Sequence, residues 1–489
     1  MKRNRASRET RLGPSASSHL QAEPNGQRWI RLAWLVAGLS LALAFAGWLR
    51  WGSEWWSVGQ VAAALSDPPI PLGEPPVDAS VVLRLPAPLP RTAEEFGEEA
   101  LAVGQRLVES LPDESEAHAQ LAMAYLQVGQ DRAALASWRA AVARDERFSQ
   151  GHLGIGTILA DQGETDQAIA ALRKAIELDP ELEQAYRQLT ELLLRQGDSA
   201  SAVAVARECV RRFPAACENH FWLGQSFVER GDWTEARRSH EEAVRINPNW
   251  THSYYPLSLV CARLGEHAAA AGYRQQFAAL KLADLQDARN PNQDYDDVAT
   301  QRQAIIRRHV LGGSLQLRHG NSLAAEAHWV RAAAIAVGDV PTRKALTALY
   351  QQQNRAGAEL RFLEELIQLE PEQPAHPLRK GRLLVALRSW SDAERTLLQV
   401  LDLQPASVDA HLLLAEMDLR RGVDLAAAQA RAERAVGLEA SPRSLLLLAA
   451  ICGARGDRPA ALAALRHVLT LAPENAEARQ AYEQLLATN

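Results

Sequence analysis

Cysteine is scarce in this sequence, and no two cysteines are spaced as a redox or zinc-binding pair. The 489 residues include four cysteines and no C-x-x-C arrangement. Zinc sites and thioredoxin-like centres usually contain at least one such closely spaced pair. We therefore expect the thiols to be small buried side chains and predict neither a metal site nor a redox site. The cysteines are Cys209, Cys217, Cys261 and Cys452.

An excess of positive charge is found only at the start of the chain. Residues 1–31 carry a net charge of +5, whereas the remaining residues together carry −11. Non-specific binding of nucleic acid needs a basic surface, because contacts with phosphates supply most of its affinity. The main body is therefore predicted to have no nucleic-acid partner.

Charge of either sign is absent from one stretch near the start. No charged residue lies between Leu32 and Leu49. As a helix this stretch would span about 27 Å, close to the hydrocarbon thickness of a bilayer. Indole rings favour the membrane–water interface, so tryptophans flanking such a stretch support this interpretation. We expect a transmembrane helix over residues 29–52 that anchors the chain in a lipid bilayer. Trp29 and Trp34 lie near one end of the stretch, and Trp48, Trp51, Trp55 and Trp56 lie near the other.

The basic residues before this stretch predict its orientation. Positive flanks remain on the cytoplasmic side, so residues 1–28 are expected to form a cytoplasmic tail. The body would then lie outside the cytoplasm, in the periplasm if the membrane is the inner membrane of a bacterium. The alternative is a signal peptide within residues 1–46, because Ala44-Phe45-Ala46 has the small-x-small form of a cleavage site. Both interpretations export the body.

Proline is concentrated between the apolar stretch and the main body. Residues 53–65 could continue as a short helix on the membrane surface, and eight prolines follow between residues 66 and 91. Proline at this density excludes helix and favours an extended chain. Residues 53–91 are therefore expected to form an interfacial segment and a semi-rigid spacer that holds the body away from the bilayer.

The rest of the chain repeats with a stride of 34 residues. Glycine recurs at the same position of each unit, alanine follows it by five residues, and proline closes several units. Two runs share this pattern in different phase. In the first run the marks are Gly129, Gly163, Gly197, Gly231, Gly265, Ala134, Ala168, Ala202, Ala236, Ala270, Pro180, Pro214 and Pro248. In the second run they are Gly320, Asn354, Arg388, Gly422, Gly456, Ala325, Glu359, Ala393, Ala461, Pro371, Pro405 and Pro473.

Each mark has a physical role in a pair of antiparallel helices. Glycine permits the positive φ at which a first helix ends and the chain turns. Alanine lets the second helix approach the first closely, and proline ends the second helix because it cannot extend the hydrogen-bond ladder. The unit is thus predicted to be a helical hairpin.

This pattern resembles the tetratricopeptide repeat family, most closely over residues 149–182 and 217–250. The resemblance covers about residues 92 to 489, and it implies an all-α solenoid, a superhelix of tandem helical hairpins. Some units depart from the family pattern: Asn354 and Arg388 stand in place of glycine, and Glu359 stands in place of alanine. These units are expected to fold with looser turns or packing.

Boundaries follow from the phase of the repeat. A first array of a half repeat and five repeats is expected over 92–288, a linker or hinge over 289–305, and a second array of five repeats over 306–475. Residues 92–111 are expected to cap the front as a lone second helix, and residues 476–489 to form a capping helix at the rear. One residue is inserted in the second array, near Ala426–Ala428.

No group of residues predicts catalysis, a cofactor or a metal ion. Four histidines occupy the fourth position of their units, where the family usually has a large aromatic residue, so core filling is expected. The glycines at 151, 154 and 156 lie in a predicted helix rather than after a strand, which argues against a phosphate loop. The acidic residues near 296 lack the frame of a calcium loop. The histidines are His118, His152, His220 and His411.

The resemblance also implies a concave groove lined by the first helices. An aromatic and charged lining would suit an extended peptide or a helix, although several of these rings could instead be core between repeats. The predicted groove residues are Arg187, Glu191, Arg195, Phe221, Gln225, Glu229, His252, Tyr255 and Arg263.

Binding without catalysis is the predicted function. We expect a membrane-anchored scaffold that binds a protein or peptide partner in this groove and has no enzymatic activity. An envelope assembly factor for cytochromes or exopolysaccharide is an alternative. A less favoured one is the non-catalytic arm of a glycosyltransferase-type complex, because the repeats leave no room for a catalytic domain in this chain.

Overall fold

The computed structural model describes residues 70–288 and 297–487 and, within them, 23 helices and no strand. The predicted anchor and the first part of the predicted spacer lie outside these residues. Within the described ranges, none of the helices combines the length and the apolarity that a membrane crossing would require.

The described residues form two compact units, 70–376 and 377–487. The first unit contains α1 (Ala79–Leu83), α2 (Ala93–Ser110), α3 (Ser115–Gln127), α4 (Asp131–Arg144), α5 (Ser149–Asp161), α6 (Thr165–Leu178), α7 (Glu183–Gln196), α8 (Ser199–Arg212), α9 (Cys217–Arg230), α10 (Trp233–Ile246), α11 (Thr251–Arg263), α12 (His267–Ala288), α13 (Asp297–Arg318), α14 (Ser322–Ile335), α15 (Val340–Gln352) and α16 (Ala356–Leu369). Helix α17 (Ala375–Ala386) begins at the boundary. The second unit continues with α18 (Trp390–Leu403), α19 (Val408–Arg421), α20 (Leu425–Leu438), α21 (Pro442–Ala454), α22 (Arg458–Leu471) and α23 (Ala476–Ala487).

The predicted hairpin turns are confirmed. All ten turn positions, from Gly129 to Gly456, have a left-handed backbone with φ between +55° and +85°. Asn354 and Arg388 adopt this conformation too, although they have a side chain. The turn therefore requires a left-handed backbone whichever residue occupies this position. The helices joined by these turns form an all-α solenoid of tandem hairpins.

The two helices of a hairpin approach closely because residue sizes are complementary. A Cβ atom added at Gly156 would lie 2.8 Å from Leu172, and one added at Gly224 would lie 2.7 Å from the ring of His240. The predicted tight-packing alanines, such as Ala168 and Ala236, are fully buried. Small residues on one helix thus make room for large ones on the other.

The inserted residue of the second array lies in a turn rather than near Ala426–Ala428. Three residues separate α19 from α20, whereas two separate α9 from α10. Gly422 and Asp424 both have positive φ, so the turn absorbs the extra residue and α20 keeps its register. Ala428 accordingly takes the fully buried tight-packing position.

The front of the first array differs from the expected cap. Helix α2 packs between α3 and α13, and its apolar side chains share one core cluster with Ala117 of α3 and Ile305 and Leu315 of α13. A cap would leave one side of α2 polar, but α2 is buried on two sides. The predicted linker over 289–305 also differs, because its described part, residues 297–305, is the start of α13.

The described part of the proline-rich segment is docked rather than free. We call residues 70–91 the strap. Its short helix α1 packs against α14, and Ala79, Leu83 and Leu85 are buried in the same cluster as α2 and α13. The Gly357 N–H donates to the Leu72 carbonyl at 2.8 Å, and the Val77 N–H donates to Glu326 Oε1 at 2.9 Å. Residues 70–91 therefore belong to the first compact unit.

Candidate protein-binding surface

The predicted groove residues lie on α7, α9 and α11, the first helices of three consecutive units. We call the surface formed by the fifth and ninth residues of the first helices α3, α5, α7, α9 and α11 the first-helix face. Thr157 of α5 donates to Gln188 of α7 at 2.8 Å, and the rings of Phe221 and His252 lie 6.3 Å apart. Neighbouring first helices therefore contribute to one continuous surface.

The charged residues of α7 pair within their own helix. Arg195 forms an ion pair with Glu191, and Arg187 Nη1 lies 4.0 Å from Glu183 Oε1. Glu183 also accepts from Asn219 of α9 at 2.9 Å. These pairs are solvent-accessible and reduce the net charge of this part of the face. They can adjust to a partner at small cost, since exposed ion pairs contribute little stability.

An aromatic cluster surrounds Phe221 on α9. Its ring meets Trp222 edge-on at a centroid distance of 5.2 Å and His240 of α10 at 5.8 Å. His252 extends the cluster to Trp250, 4.8 Å away. Phe221 is half-buried, so it is partly core between repeats and partly surface. Both of the interpretations that the sequence left open therefore apply to this ring.

Helix α11 presents the most exposed apolar side chains of the face. Tyr255 is 49% exposed and Leu259 is 50% exposed. Phe277 of α12 supports Tyr255 at a centroid distance of 5.6 Å. Arg263 lies apart from them, because its guanidinium sits over the Trp233 ring of α10 at 5.8 Å.

The structure thus brings some of the predicted residues together and separates others. Phe221 and His252 are in contact and Tyr255 follows on the same helix, whereas the α7 residues pair internally and Arg263 turns toward α10. The positional rule that selected Tyr255 would also have selected Met123 and Leu259, the exposed apolar ninth residues of α3 and α11. Neither had been singled out from the sequence.

The recurring histidines have a structural role. Each ring reaches back six residues to a backbone carbonyl just before its helix, as His118 Nε2 does to the Pro112 carbonyl at 2.9 Å. The hydroxyl of Tyr254 makes the equivalent bond to the Pro248 carbonyl at 2.7 Å. Within the described ranges, no three His, Cys, Asp or Glu side chains are grouped as metal ligands would be. The same bond is made by His152, His220 and His411.

The glycines at 151, 154 and 156 are packing residues. A Cβ atom at Gly154 would lie 2.3 Å from the Trp138 ring, and one at Gly151 would lie 2.7 Å from Val142. All three lie inside α5 and are buried. They allow close contact between helices and do not form a phosphate loop.

A buried polar cluster joins α2 to α13 and α14. Glu99 accepts from Arg331 Nε at 2.9 Å and Nη2 at 2.7 Å, and from His309 Nε2 at 3.0 Å. His309 Nδ1 lies 3.1 Å from His328 Nδ1. Burial by itself would raise the pKa of Glu99, but the bonds from Arg331 and His309 outweigh it and lower that pKa to about 2. Burial lowers the pKa of both histidines, so both are neutral at pH 7.

Comparison with known families identifies the repeats. A family model described as tetratricopeptide repeat matches residues 189–250, 223–280 and 378–444, and a second model, described as TPR repeat, matches residues 156–197. A search of curated proteins gives no match for the chain.

Several solved structures have a similar repeated helical fold. MamA from Desulfovibrio magneticus is 18% identical with a TM-score of 0.33, over 35% of this chain and 96% of that one. YrrB, described as a TPR protein with an unusual peptide-binding site, is 15% identical with a TM-score of 0.34, over 41% and 97%. A C-terminal part of a TPR repeat-containing protein from Cytophaga hutchinsonii is 14% identical with a TM-score of 0.35, over 55% and 98%.

Proposed function

Because the chain contains tetratricopeptide repeats, we propose that it is a non-catalytic scaffold that binds a protein or peptide partner on the first-helix face. The observation that carries this proposal is the exposure of Tyr255 and Leu259 one turn apart on α11, beside the aromatic cluster of Phe221. Tyrosine is a frequent anchor of protein interfaces, and contiguous exposed apolar side chains mark interaction sites. The flanking ion pairs of α7 would form a polar rim.

The surface favours an elongated ligand. Its elements repeat along successive first helices, so a partner must offer anchors at regular intervals, as an extended peptide or an amphipathic helix does. Affinity would come from burying Tyr255, Leu259 and the exposed edge of Phe221, while the charges set orientation.

Substitution of the α11 anchors tests this proposal. The double variant Tyr255→Ala, Leu259→Ala should capture its partner from an envelope extract at least about tenfold less efficiently, because two exposed anchors would be lost. Circular dichroism and the melting temperature should stay unchanged, since both side chains are half in solvent. Phe221→Ala should lower capture and melting temperature together, because that ring also packs on His240.

Arg238→Ala is the matched control, because Arg238 is exposed on the second helix α10, away from the first-helix face. Capture by this variant should equal that of the wild type. Undiminished capture by the α11 double variant would exclude the first-helix face as the binding site.

We further propose that residues 29–52 anchor the scaffold in a membrane, with residues 1–28 in the cytoplasm and the repeats on the other side. The charge-free stretch, its flanking tryptophans and the preceding basic residues support this proposal. The chain should resist carbonate extraction, and added protease should digest the repeats in spheroplasts while sparing the first residues. A mature chain that begins near residue 47 would instead indicate a cleaved signal peptide.

A further inference from the structure

The first part of the strap, residues 72–77, is held by hydrogen bonds to its main chain. Arg355 Nε donates to the Glu74 carbonyl at 3.1 Å, and its Nη2 donates to the Pro75 carbonyl. Together with the bonds from Gly357 N–H to Leu72 and from Val77 N–H to Glu326, these contacts bind four residues of an extended segment. We call Glu326, Tyr350, Arg355 and Gly357 the main-chain receptor.

The side chains of this part of the strap face solvent. Residues 70–75 are exposed, and Leu72 is 58% exposed although it is apolar. The receptor therefore binds backbone carbonyl and amide groups of the strap. It accepts most side chains at these exposed positions. Prolines at positions 71, 75 and 76 suit this geometry, because they favour an extended chain and their nitrogen needs no partner.

One position of the strap does require a particular residue. Gly73 has a φ of +70°, and a Cβ atom added there would lie 2.9 Å from the Cα of Arg355. A side chain at this point would meet rigid backbone and would also strain its own backbone. The receptor therefore selects an extended segment with glycine at this place.

The receptor side chains are held by contacts with one another as well as with the strap. The Arg355 guanidinium lies over the Tyr350 ring at 4.8 Å and pairs with the buried Glu326. The Tyr350 hydroxyl donates to Glu326 Oε1 at 2.9 Å. A planar guanidinium held in this way presents fixed donors, so little conformational freedom is lost when a ligand binds.

We propose that the main-chain receptor is a second peptide-binding site, on the α14–α16 side of the first unit, and that residues 70–78 are its intramolecular ligand. Its ligand in trans is an extended segment of another polypeptide that contains glycine at the place of Gly73 and prolines beside it. The site is independent of the first-helix face, which lies on other helices. Release of the strap exposes it, so the docked strap keeps the site closed.

A labelled peptide with the sequence of residues 70–78, IPLGEPPVD, tests the site by fluorescence anisotropy. The full-length Gly73→Val variant should release its own strap at this point and bind the peptide at least tenfold more tightly than the wild type does. The same peptide with valine at its fourth position should not bind. Adding Arg355→Lys to the Gly73→Val chain should weaken binding at least tenfold, because lysine keeps the charge beside Glu326 but loses the second donor.

Val81→Ala is the control in the strap, since the Val81 side chain is 70% exposed and Val81 is not among the residues that the receptor binds. This variant should bind the peptide no better than the wild type. Equal binding by the wild type and the Gly73→Val variant would overturn the proposal, and so would binding that is insensitive to Arg355→Lys. Circular dichroism of each full-length variant verifies that the chain is folded.

Discussion

At the scale of single residues, His240 has surroundings that do not satisfy its polar ring atoms. It is fully buried, and neither ring nitrogen has a hydrogen-bond partner among the described residues. Burial lowers its pKa to about 4. The ring is retained in the space that Gly224 leaves free, where it supports Phe221 of the aromatic cluster. The role of His240 is therefore to fill space. Its two unsatisfied ring nitrogens reduce the stability of the folded chain.

His240→Leu is expected to stabilise the protein and to weaken its response to acid. Leu172 already fills the equivalent space opposite Gly156, so leucine fits this kind of site. The folded pKa of His240 lies below the ordinary value of about 6.5, so between pH 6.5 and 4 the unfolded chain binds a proton that the folded chain does not. Because of this residue, the free energy of unfolding decreases as pH falls from 6.5 to 4. The decrease is up to about 1.4 kcal/mol per pH unit.

Urea denaturation at pH 7 and pH 5 measures both effects. The leucine variant should be more stable at pH 7 and should lose less stability at pH 5 than the wild type. His467→Leu is the control for the substitution itself, because His467 is exposed. An unaltered pH dependence in the His240 variant would contradict the neutral buried state. His309 and His328, whose pKa values are also lowered by burial, contribute in the same direction.

Residues with a repeating role could be predicted from the sequence, and residues with a unique role could not. The turn positions were identifiable because the same backbone requirement recurs every 34 residues. Glu99 and Arg331 are separated by 232 positions and occur once, so no periodicity links them. Tyr255 was found from its position in the repeat, but only the structure shows that Arg263 turns away.

At the scale of helices and turns, the chain between α19 and α20 contains a natural insertion. The short turn before α22 is Gly456-Asp457, in which Asp457 has a φ of −83° and accepts from the Ala460 N–H. In the longer turn Asp424 caps α20 in the same way, but with a φ of +47°. Val423 is the extra residue and is half exposed.

Deletion of Val423 should therefore restore the short turn. The left-handed backbone at Asp424 would be relieved, which should stabilise the chain by about 1 kcal/mol. Differential scanning calorimetry should show a higher melting temperature. Deletion of Asp457 from the turn that is already short should lower it. A large loss of stability on deletion of Val423 would show that α20 needs the longer connection for its register.

The end of the first run also has an explanation in one helix. The residue seven positions after the tight-packing alanine is fully buried as Ala141, Ala175 and Ala243 in earlier units. In α12 this place is taken by Phe277, which is half-buried beside Tyr255. A ring at this point prevents the close approach of another first helix in the same register. The Phe277 ring thus helps to end the first run of repeats, at the point where the 34-residue pattern is interrupted in the sequence.

At the scale of the whole molecule, the first compact unit is joined across distant parts of the chain. Arg331 contacts the strap as well as α2, since its Nη2 donates to the Pro88 carbonyl at 3.2 Å and to Glu99 at 2.7 Å. Arg308 of α13 is buried and donates to the Gln120 carbonyl and, at 3.2 Å, to Gln127 of α3. Polar side chains therefore fix how the two runs meet in this unit.

Glu99→Gln should destabilise the first unit strongly. The substitution leaves the guanidinium of Arg331 buried without its counter-charge, which typically costs about 3–5 kcal/mol. Urea denaturation should show this loss, and hydrogen exchange should become faster in α2 and α13 together. Glu109→Gln is the control, because Glu109 pairs with Arg106 at an exposed position of the same helix and should cost less than about 0.5 kcal/mol. Similar losses for both variants would contradict the role of the buried cluster.

Contacts are harder to predict from the sequence when the two residues that make them lie far apart in the chain. Hairpins and their stacking follow from contacts within about one repeat, so they could be predicted. The strap was expected to be a spacer without helix because of its prolines, yet Ala79–Leu83 form α1. The extended residues before α1 are docked, as their bonds to Arg355 and Gly357 show. The packing of α2 against α13 depends on complementary surfaces that no local pattern records.

The four cysteines have a consequence for handling of the protein. All are free and buried, and burial raises the pKa of Cys209 to about 12 and that of Cys452 to about 11. The thiolate is the species that air, peroxide and disulfide reagents attack, and at neutral pH almost none is present at these two sites. Burial therefore protects these thiols from oxidation while the repeats are folded, and labelling of the native chain by a thiol reagent at neutral pH should be slow.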